Sequence, residues 1–377
     1  MDPFTHLLSG ALVARATAPA RPSASALPLR LRLFAGGAAA VFPDIDLALR
    51  LVDTLTYLNW HQGPTHAPLL LPAWAALLAW LCARASGGRH RWTAFYGPAC
   101  LGIAIHIVGD LITAYGLMLY APLSTERVAL NLAFVIDPWI SAILLAGLVL
   151  SLRHSRGGRT AVLALLLCAA YLGLLLGQQQ RALAIGEAFA SARGMQAPAV
   201  HALPQPLSPA HWMLVVEDAG QLHVAHVRVG ADAAEVLSAA AAAEPAEAGP
   251  LAAVLGPLVR LRHAYRPAPQ ADWQTRGVAG TDRDQADFAR AAWAQPVAAD
   301  LRRFARFPVL DAVEPGPPAC AWFVDLRFAL PTLPPSFRYA VCRDEWGGEG
   351  RGGGDGREGD GDARWTLQRA RGAFWID

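Results

Sequence analysis

Apolar positions crowd the first half of the chain. Long apolar runs lie almost entirely before Gln178, and the remainder is polar and rich in proline. A helix that crosses a bilayer needs about 20 mostly apolar residues. Residues 69–82 (with their Pro-containing start), 95–119, 134–152 and 161–177 fit that requirement. Residues 31–51 are apolar until Pro43-Asp44-Ile45-Asp46 interrupts them, which predicts a short or broken helix. Residues 4–13 predict at most a short amphipathic helix. Further on, residues 211–229 alternate apolar and polar positions around Asp218-Ala219-Gly220, the pattern of a β-hairpin. Residues 231–247 are Ala-rich and read as a helix followed by a loose loop. Residues 321–330 and 337–343 read as strands, and 365–376 as a last strand. Residues 347–363 are Gly, Asp, Glu and Arg with Ala363 at their end, the composition of a flexible or disordered insert.

These elements predict an α-helical membrane domain over residues 1–177, with about four to five transmembrane or half-spanning helices. A linker helix over 178–195 follows, then a small soluble α+β domain over 196–377. No internal repeat is visible.

Composition supports the membrane half. The chain is 54% hydrophobic and 16% charged, against about 25% charged for soluble domains. The net charge of +2 is too small to argue for a nucleic-acid partner. Every basic residue is arginine, which fits a GC-rich genome as well as the abundant Ala, Gly and Pro do. The five cysteines form no CxxC spacing. Cys82, Cys100 and Cys168 fall in apolar runs. Cys320 and Cys342 fall in the second half and suit a disulfide if that half faces an oxidising compartment. Residues 1–10 lack the basic start of a signal peptide.

Arginine also predicts sidedness, because short Arg-rich loops stay cytoplasmic. Arginines cluster at 15–32, 84–91 and 153–159. Threading the chain with those loops inside sends the second half to the non-cytoplasmic side of a bacterial inner membrane. It also places His6, Asp44, Asp46, His61, His66, His106, Asp110 and Asp137 together in the outer half. Arg127 lies on the outer side, against this bias.

Those residues are the candidate chemistry. In His106-Ile-Val-Gly-Asp110 an imidazole and a carboxylate four residues apart share a helix face, where they either ligate one metal or pair to tie helices together. In His61-Gln-Gly-Pro-Thr-His66 a turn can fold two imidazoles toward one centre. Asp44 and Asp46 interrupt an apolar run, so they are either ligands or a helix stop. Asp137-Pro138 reads first as a helix cap. Carboxylates mixed with imidazoles suit Zn, Mn or Fe. The chain shows no phosphate-binding Gly-rich loop, no Gly-x-Ser-x-Gly and no His-Glu-x-x-His.

The ordered set Asp2-Pro3-x-Thr5-His6-x-x-x-Gly10, Phe42-Pro43-Asp44-Ile45-Asp46, His61-x-Gly63-x-Thr65-His66, His106-x-x-x-Asp110-x-x-Thr113-x-Tyr115-Gly116 and Asp137-Pro138 resembles the membrane-bound metal-dependent hydrolases of the YdjM type, a family associated with LexA regulation. The resemblance covers roughly residues 1–177. Val324–Phe328 resembles an element of a longer-chain subgroup with a C-terminal domain. Gln62 and Ala67 depart from the family's His-Arg-Gly-x-Thr-His-Ser and remove two possible substrate contacts.

Residues and resemblance together predict a divalent metal, zinc first and manganese or iron as alternatives. Its expected ligands are His61, His66, His106 and Asp110, with Asp44 the next addition and His6, Asp46 and Asp137 as supports or alternates. Asp44 or Asp46 is the expected general base, and Thr65, Thr113 or Tyr115 the expected hydrogen-bond donor to a developing oxyanion. The expected substrate is an ester or phosphoester, with an apolar tail because the site lies at a membrane face. Two other readings stay open: a proton- or metal-coupled transporter or channel, and a non-catalytic scaffold whose helices a metal staples.

Overall fold

The computed structural model describes residues 1–20, 26–230, 260–344 and 364–370. The chain divides into two compact units. One comprises Met1–Ile185 with Ala202–Met213, and the other Gly186–His201 with Leu214–Asp377.

The first unit is helical. Its elements are α1 (Pro3–Ala16), α2 (Leu29–Val41), α3 (Thr54–Trp60), α4 (Leu71–Ala85), α5 (Trp92–Leu111), α6 (Pro138–Arg153) and α7 (Gly157–Ala192). Two 3₁₀ segments, Phe42–Leu51 and Pro64–His66, connect α2 to α3 and α3 to α4. The boundaries follow local chemistry. Asp2, Asp53 and Asp137 cap α1, α3 and α6 by accepting first-turn amides. Pro43 has no amide to continue the α-helical ladder, and α2 gives way to the 3₁₀ segment there.

Small residues set how closely these helices approach. A Cβ added at Gly10 of α1 or at Gly102 of α5 would stand 2.3 Å from the carbonyl oxygen of Gly36 in α2. Both neighbours therefore meet α2 at one glycine, the close backbone approach that small residues allow between membrane helices. The short helix expected at 4–13 is α1, Pro3–Ala16. Thr5, His6, Leu8, Ser9, Gly10, Ala11, Leu12 and Ala14 are all buried, and α1 packs on α2, α5 and α6.

By length and composition α5 and α7 suffice to cross a membrane. Thr54–His66 and Leu71–Ala85 form one apolar stretch bent by 83°. Helix α6 is apolar but shorter. The predicted 95–119 span ends at Leu111, because Thr113 turns back and bonds the Asp110 carbonyl through both its amide and its hydroxyl. The predicted 161–177 span and the predicted linker helix are parts of one helix of 36 residues. At 1.5 Å per residue α7 runs for roughly 54 Å, well beyond the hydrocarbon thickness.

The C-terminal part of the chain builds two sheets. The first orders β1 (Ala199–Pro204), β2 (His211–Asp218), β3 (Gln221–Arg228) and β4 (Gln274–Arg276) side by side in sequence order. The second orders β5 (Pro308–Glu314), β6 (Ala319–Asp325), β7 (Tyr339–Asp344) and β8 (Arg364–Arg369), all antiparallel. Helices α8 (Arg283–Ala294) and α9 (Ala299–Phe304) precede that sheet. The result is a helical membrane part followed by a small α+β domain. The predicted strand at 321–330 ends at Asp325 in a 3₁₀ turn, Leu326–Phe328. The predicted helix at 231–247 and the predicted insert at 347–363 lie outside the described residues, as does the predicted last strand beyond residue 370. Cys320 and Cys342 sit opposite each other on β6 and β7 and form a disulfide.

Two consequences can be tested here. The β2–β3 turn places Ala219 at φ 46° and Gly220 at φ 77°. Both central residues are left-handed, as a type I′ hairpin turn requires, and alanine is a poor occupant of the first. Ala219→Asn is expected to stabilise the hairpin by about 0.5–1 kcal/mol. Slower amide exchange in β2 and β3 would show it, and unchanged exchange would contradict it.

His226 on β3 supplies the second. Its Nε2 is buried with no hydrogen-bond partner among the described residues, and burial, with the Arg276 charge adding to it, pushes its pKa down to about 4. The unfolded chain, with an ordinary value of 6.5, then binds the proton more readily. Stability is therefore full above about pH 6.5 and is lost as pH falls toward 4. A His226→Leu variant is expected to lose less stability over that window than the wild type. Parallel pH profiles of unfolding would refute the assignment.

Candidate metal centre

Four side chains from three segments of the helical unit meet at one point. Helix α5 carries His106 and Asp110 on one face, one turn apart. The 3₁₀ segment Pro64–His66 brings His66, and the 3₁₀ segment after α2 brings Asp44. His66 Nε2 lies 3.2 Å from Asp110 Oδ2 and 3.7 Å from Asp44 Oδ1. His106 Nε2 lies 3.1 Å from Asp110 Oδ2 and 3.8 Å from Asp44 Oδ1. Ligands about 2.0–2.1 Å from a tetrahedral ion stand about 3.3 Å from one another. The four atoms therefore have the spacing of a coordination shell.

Burial argues the same way. His66, His106 and Asp110 are fully buried, and their Nε2, Nε2 and Oδ2 atoms have no hydrogen-bond partner among the described residues. A buried polar atom without a partner costs about 1–3 kcal/mol. Three such atoms aimed at one another are a heavy penalty unless a cation satisfies them together.

The opposite edges of the same side chains are tied down. His106 Nδ1 lies 2.6 Å from the Ala40 carbonyl oxygen, which makes it the protonated nitrogen and leaves Nε2 a lone pair. His66 Nδ1 lies 2.9 Å from Thr65 Oγ1, and that hydroxyl lies 2.9 Å from Asp46 Oδ2. Asp110 Oδ1 lies 3.1 Å from His6 Nε2, and the Met1 nitrogen also bonds it. The His6 ring stacks on His106, centroids 3.7 Å apart.

A second group adjoins the first and shares Asp44 with it. Ligand atoms of Asp44, Asp46 and His61 lie within 4.8 Å of one another. Asp46 holds His61 Nδ1 at 2.7 Å and accepts the Gln62 amide at 3.1 Å. This edge is the more open one: the Asp44 and His61 side chains are 16% and 12% exposed, against 1% or less for the first group's other members.

The structure thus divides the expected ligands. His66, His106, Asp110 and Asp44 converge, while His61 stands in the neighbouring group with Asp46. His6 sits behind Asp110. Asp137 is not in the cluster. Its Oδ1 caps α6 by accepting the Trp139 and Ile140 amides, and its Oδ2 accepts the Tyr171 hydroxyl. The hydroxyls of two expected oxyanion donors are engaged with backbone carbonyls. The Thr113 hydroxyl donates to the Asp110 carbonyl, and the Tyr115 hydroxyl to the Leu58 carbonyl. Thr65 is bound between Asp46 and His66, where it orients an imidazole.

Arg127 is the contributor that sequence reasoning set aside. Its guanidinium donates to the carbonyls of Asn59 at 2.8 Å, His61 at 3.1 Å and Gly116 at 2.7 Å. These include end-of-helix carbonyls of α3 that have no partner within the helix. Arg127 therefore fixes the loop that carries His61 and Gln62, where Gln62 holds φ at 59°. Its role as an internal clamp explains its exception to the charge bias. Neither spacing nor charge could have shown it; only the unsatisfied end of a seven-residue helix hinted that a donor was needed.

Fold and site define a helical membrane protein with a buried His/Asp cluster able to hold a metal ion. Residues 1–182, just under half of the chain, match the model of the YdjM inner membrane protein family. A stretch of 144 residues is 28% identical to the uncharacterized protein YfhP of Bacillus subtilis (strain 168), covering 37% of this chain. The match spans 43% of that relative's length, less than half of it. No solved structure matches the chain.

Proposed function

We propose that this protein is a metal-dependent hydrolase of an inner membrane, acting on an ester or phosphoester at one membrane face. The observation that carries the reading is the convergence of three buried, partnerless ligand atoms at coordination spacing beside a more exposed carboxylate. A bound divalent cation, zinc first by donor chemistry, would lower the pKa of a coordinated water to about 7 and supply hydroxide. The chain's own groups do the rest. His66, His106 and Asp110 hold the ion from the buried side. Asp44 marks the side from which water and substrate arrive. Asp44 and the His61–Asp46 pair are the groups in place to accept a proton there.

Exposed Ile45, Leu47, Leu51 and Val52 lie next to Asp44 and Asp46 in sequence, on the segment that ends α2. An apolar surface beside the site suits a substrate with a lipid tail. Helix direction supports sidedness. His6 lies at the start of α1 and the ligands follow α2, end α5 and precede α4, while Arg15, Arg84 and Arg153 lie in the last turns of α1, α4 and α6. The disulfide supports an oxidising, non-cytoplasmic location for the C-terminal domain. An alkaline phosphatase reporter fused after Asp377 should be active, and a silent reporter would invert the topology.

The four-donor count also favours a second reading, a metal that only staples helices, because catalysis needs an open coordination position. Nanodisc-embedded protein loaded with zinc and offered phospholipid and isoprenoid-phosphate substrates decides between them. Metal-dependent release of phosphate or fatty acid, lost in His106→Ala, is the expected result. A metal-replete protein inert toward the whole panel would leave the staple.

A further inference from the structure

We infer that the site holds two cations, not one, and that the Asp44 carboxylate bridges them. The inference rests on the metal reading above. The inner position is the tetrad His66, His106, Asp110 and Asp44; the outer one is Asp44, Asp46 and His61.

Three observations lead there. Asp44 is common to both groups, and a carboxylate has two oxygens. Its Oδ1 faces the two partnerless imidazole nitrogens at 3.7 and 3.8 Å, so bridging needs only the second oxygen turned to the outer group. The donor counts also differ. The inner shell is complete with four protein donors. The outer has three and sits at the more exposed edge, as a position that keeps a place for water requires.

Charge supplies the third. Asp44, Asp46 and Asp110 put three carboxylates into one largely buried cluster. With the Met1 ammonium on Asp110 counted, one divalent cation neutralises that set, and a bound hydroxide makes it net negative. A second cation offsets that hydroxide charge, and buried charge is tolerated when it is so paired.

Loading the outer position replaces the proton now shared between His61 Nδ1 and Asp46 Oδ1. That pair must widen from 2.7 Å by roughly half an ångström to coordination spacing. The Asp46 side chain keeps its bonds to the Gln62 amide and Thr65 hydroxyl as anchors. Two cations sharing a carboxylate lie about 3.5–4 Å apart, the separation that clamps both the attacking and the leaving oxygen of a phosphoester. The substrate class thereby narrows from esters in general to phosphoesters. The alternative way to balance Asp46 is a protonated His61 with no second ion, and the test separates the two.

The experiment uses full-length protein in detergent, loaded with Mn(II), with bound metal counted after desalting and the spin signal recorded. Two equivalents with an exchange-coupled signal are expected. His61→Ala should retain one equivalent and show an uncoupled six-line signal, and His61→Gln, closer in size, should do the same. One equivalent in the wild type, unchanged in both His61 variants, would overturn the second cation while leaving the single-metal reading intact. Two equivalents with no exchange coupling would overturn the Asp44 bridge. No bound metal would overturn both.

Discussion

His106→Ala and His66→Ala are each expected to cost the protein its tightly held inner metal. In both variants a fully buried imidazole whose Nε2 faces Asp110 Oδ2 disappears. Removing an outer partner of a metal ligand costs about 10–100-fold in affinity. Removing the ligand itself should exceed that, so occupancy of the inner position after purification falls from full to near zero. The variants must also be less stable, because binding to the folded state alone adds RT ln(1 + [L]/Kd) to stability, about 4 kcal/mol at a thousandfold excess over Kd. The expected signature is a chelator-sensitive melting temperature in the wild type and a chelator-insensitive one in both variants. Thr65→Val gives the graded control. It removes the hydroxyl between Asp46 and His66 but no donor to the ion, so it should retain metal with weakened affinity. If His106→Ala keeps stoichiometric metal, the convergence of the three partnerless atoms has another cause. The hydrolase reading then loses its nucleophile, and a proton relay through His106 and Asp110 becomes the stronger account.

Why some of this was legible in the chain and some not has physical reasons. His106 and Asp110 could be paired at once, because helical periodicity alone brings residues four apart together. His66 and Asp44 could be joined to them only through the ordered motif set, since a turn and a 3₁₀ segment have no fixed reach. The same limit hid which of Asp44 and Asp46 faces the inner group. The burial of helix α1 could not be read from the chain because its buried face mixes Thr5, His6 and Ser9 with glycine and alanine. Such a helix shows no clean apolar stripe, although close packing needs small residues and the site needs polar ones. Strand β5 escaped notice because an irregularity between Leu310 and Ala312 breaks its alternation. Strand β4 has three residues, too few to display a period. Arg127 reads as a violation of charge bias until its carbonyl partners are seen.

Arg327→Ala is expected to be the most damaging single change in the C-terminal domain. Val324–Phe328 was legible as part of a strand and of a resemblance, and the structure gives its charged pair a mechanical reason. Asp325 and Arg327, at 2% and 5% side-chain exposure, pair through Arg327 Nη2 and Asp325 Oδ2 at 2.7 Å. Asp325 also accepts the backbone amides of Arg306 and Arg327 at 2.7 and 2.9 Å. Arg327 donates to the Phe304 carbonyl at 2.7 Å, and its guanidinium lies over the rings of Phe304 and Phe328. One ion pair thus joins the end of β6, the end of α9 and the start of β5. Alanine at 327 leaves a buried carboxylate with its charge uncompensated, which costs about 3–5 kcal/mol when one partner of such a pair is removed. Asp325→Ala should cost a comparable amount, because the buried guanidinium then loses its carboxylate. The double variant Asp325→Ala/Arg327→Ala should be less unstable than the sum of the two, since neither charge remains to be orphaned. Hydrogen exchange across β5–β7 in the full-length protein measures all three. Additive losses would mean that the two residues act separately and that the aromatic contacts, not the ion pair, hold this corner of the sheet.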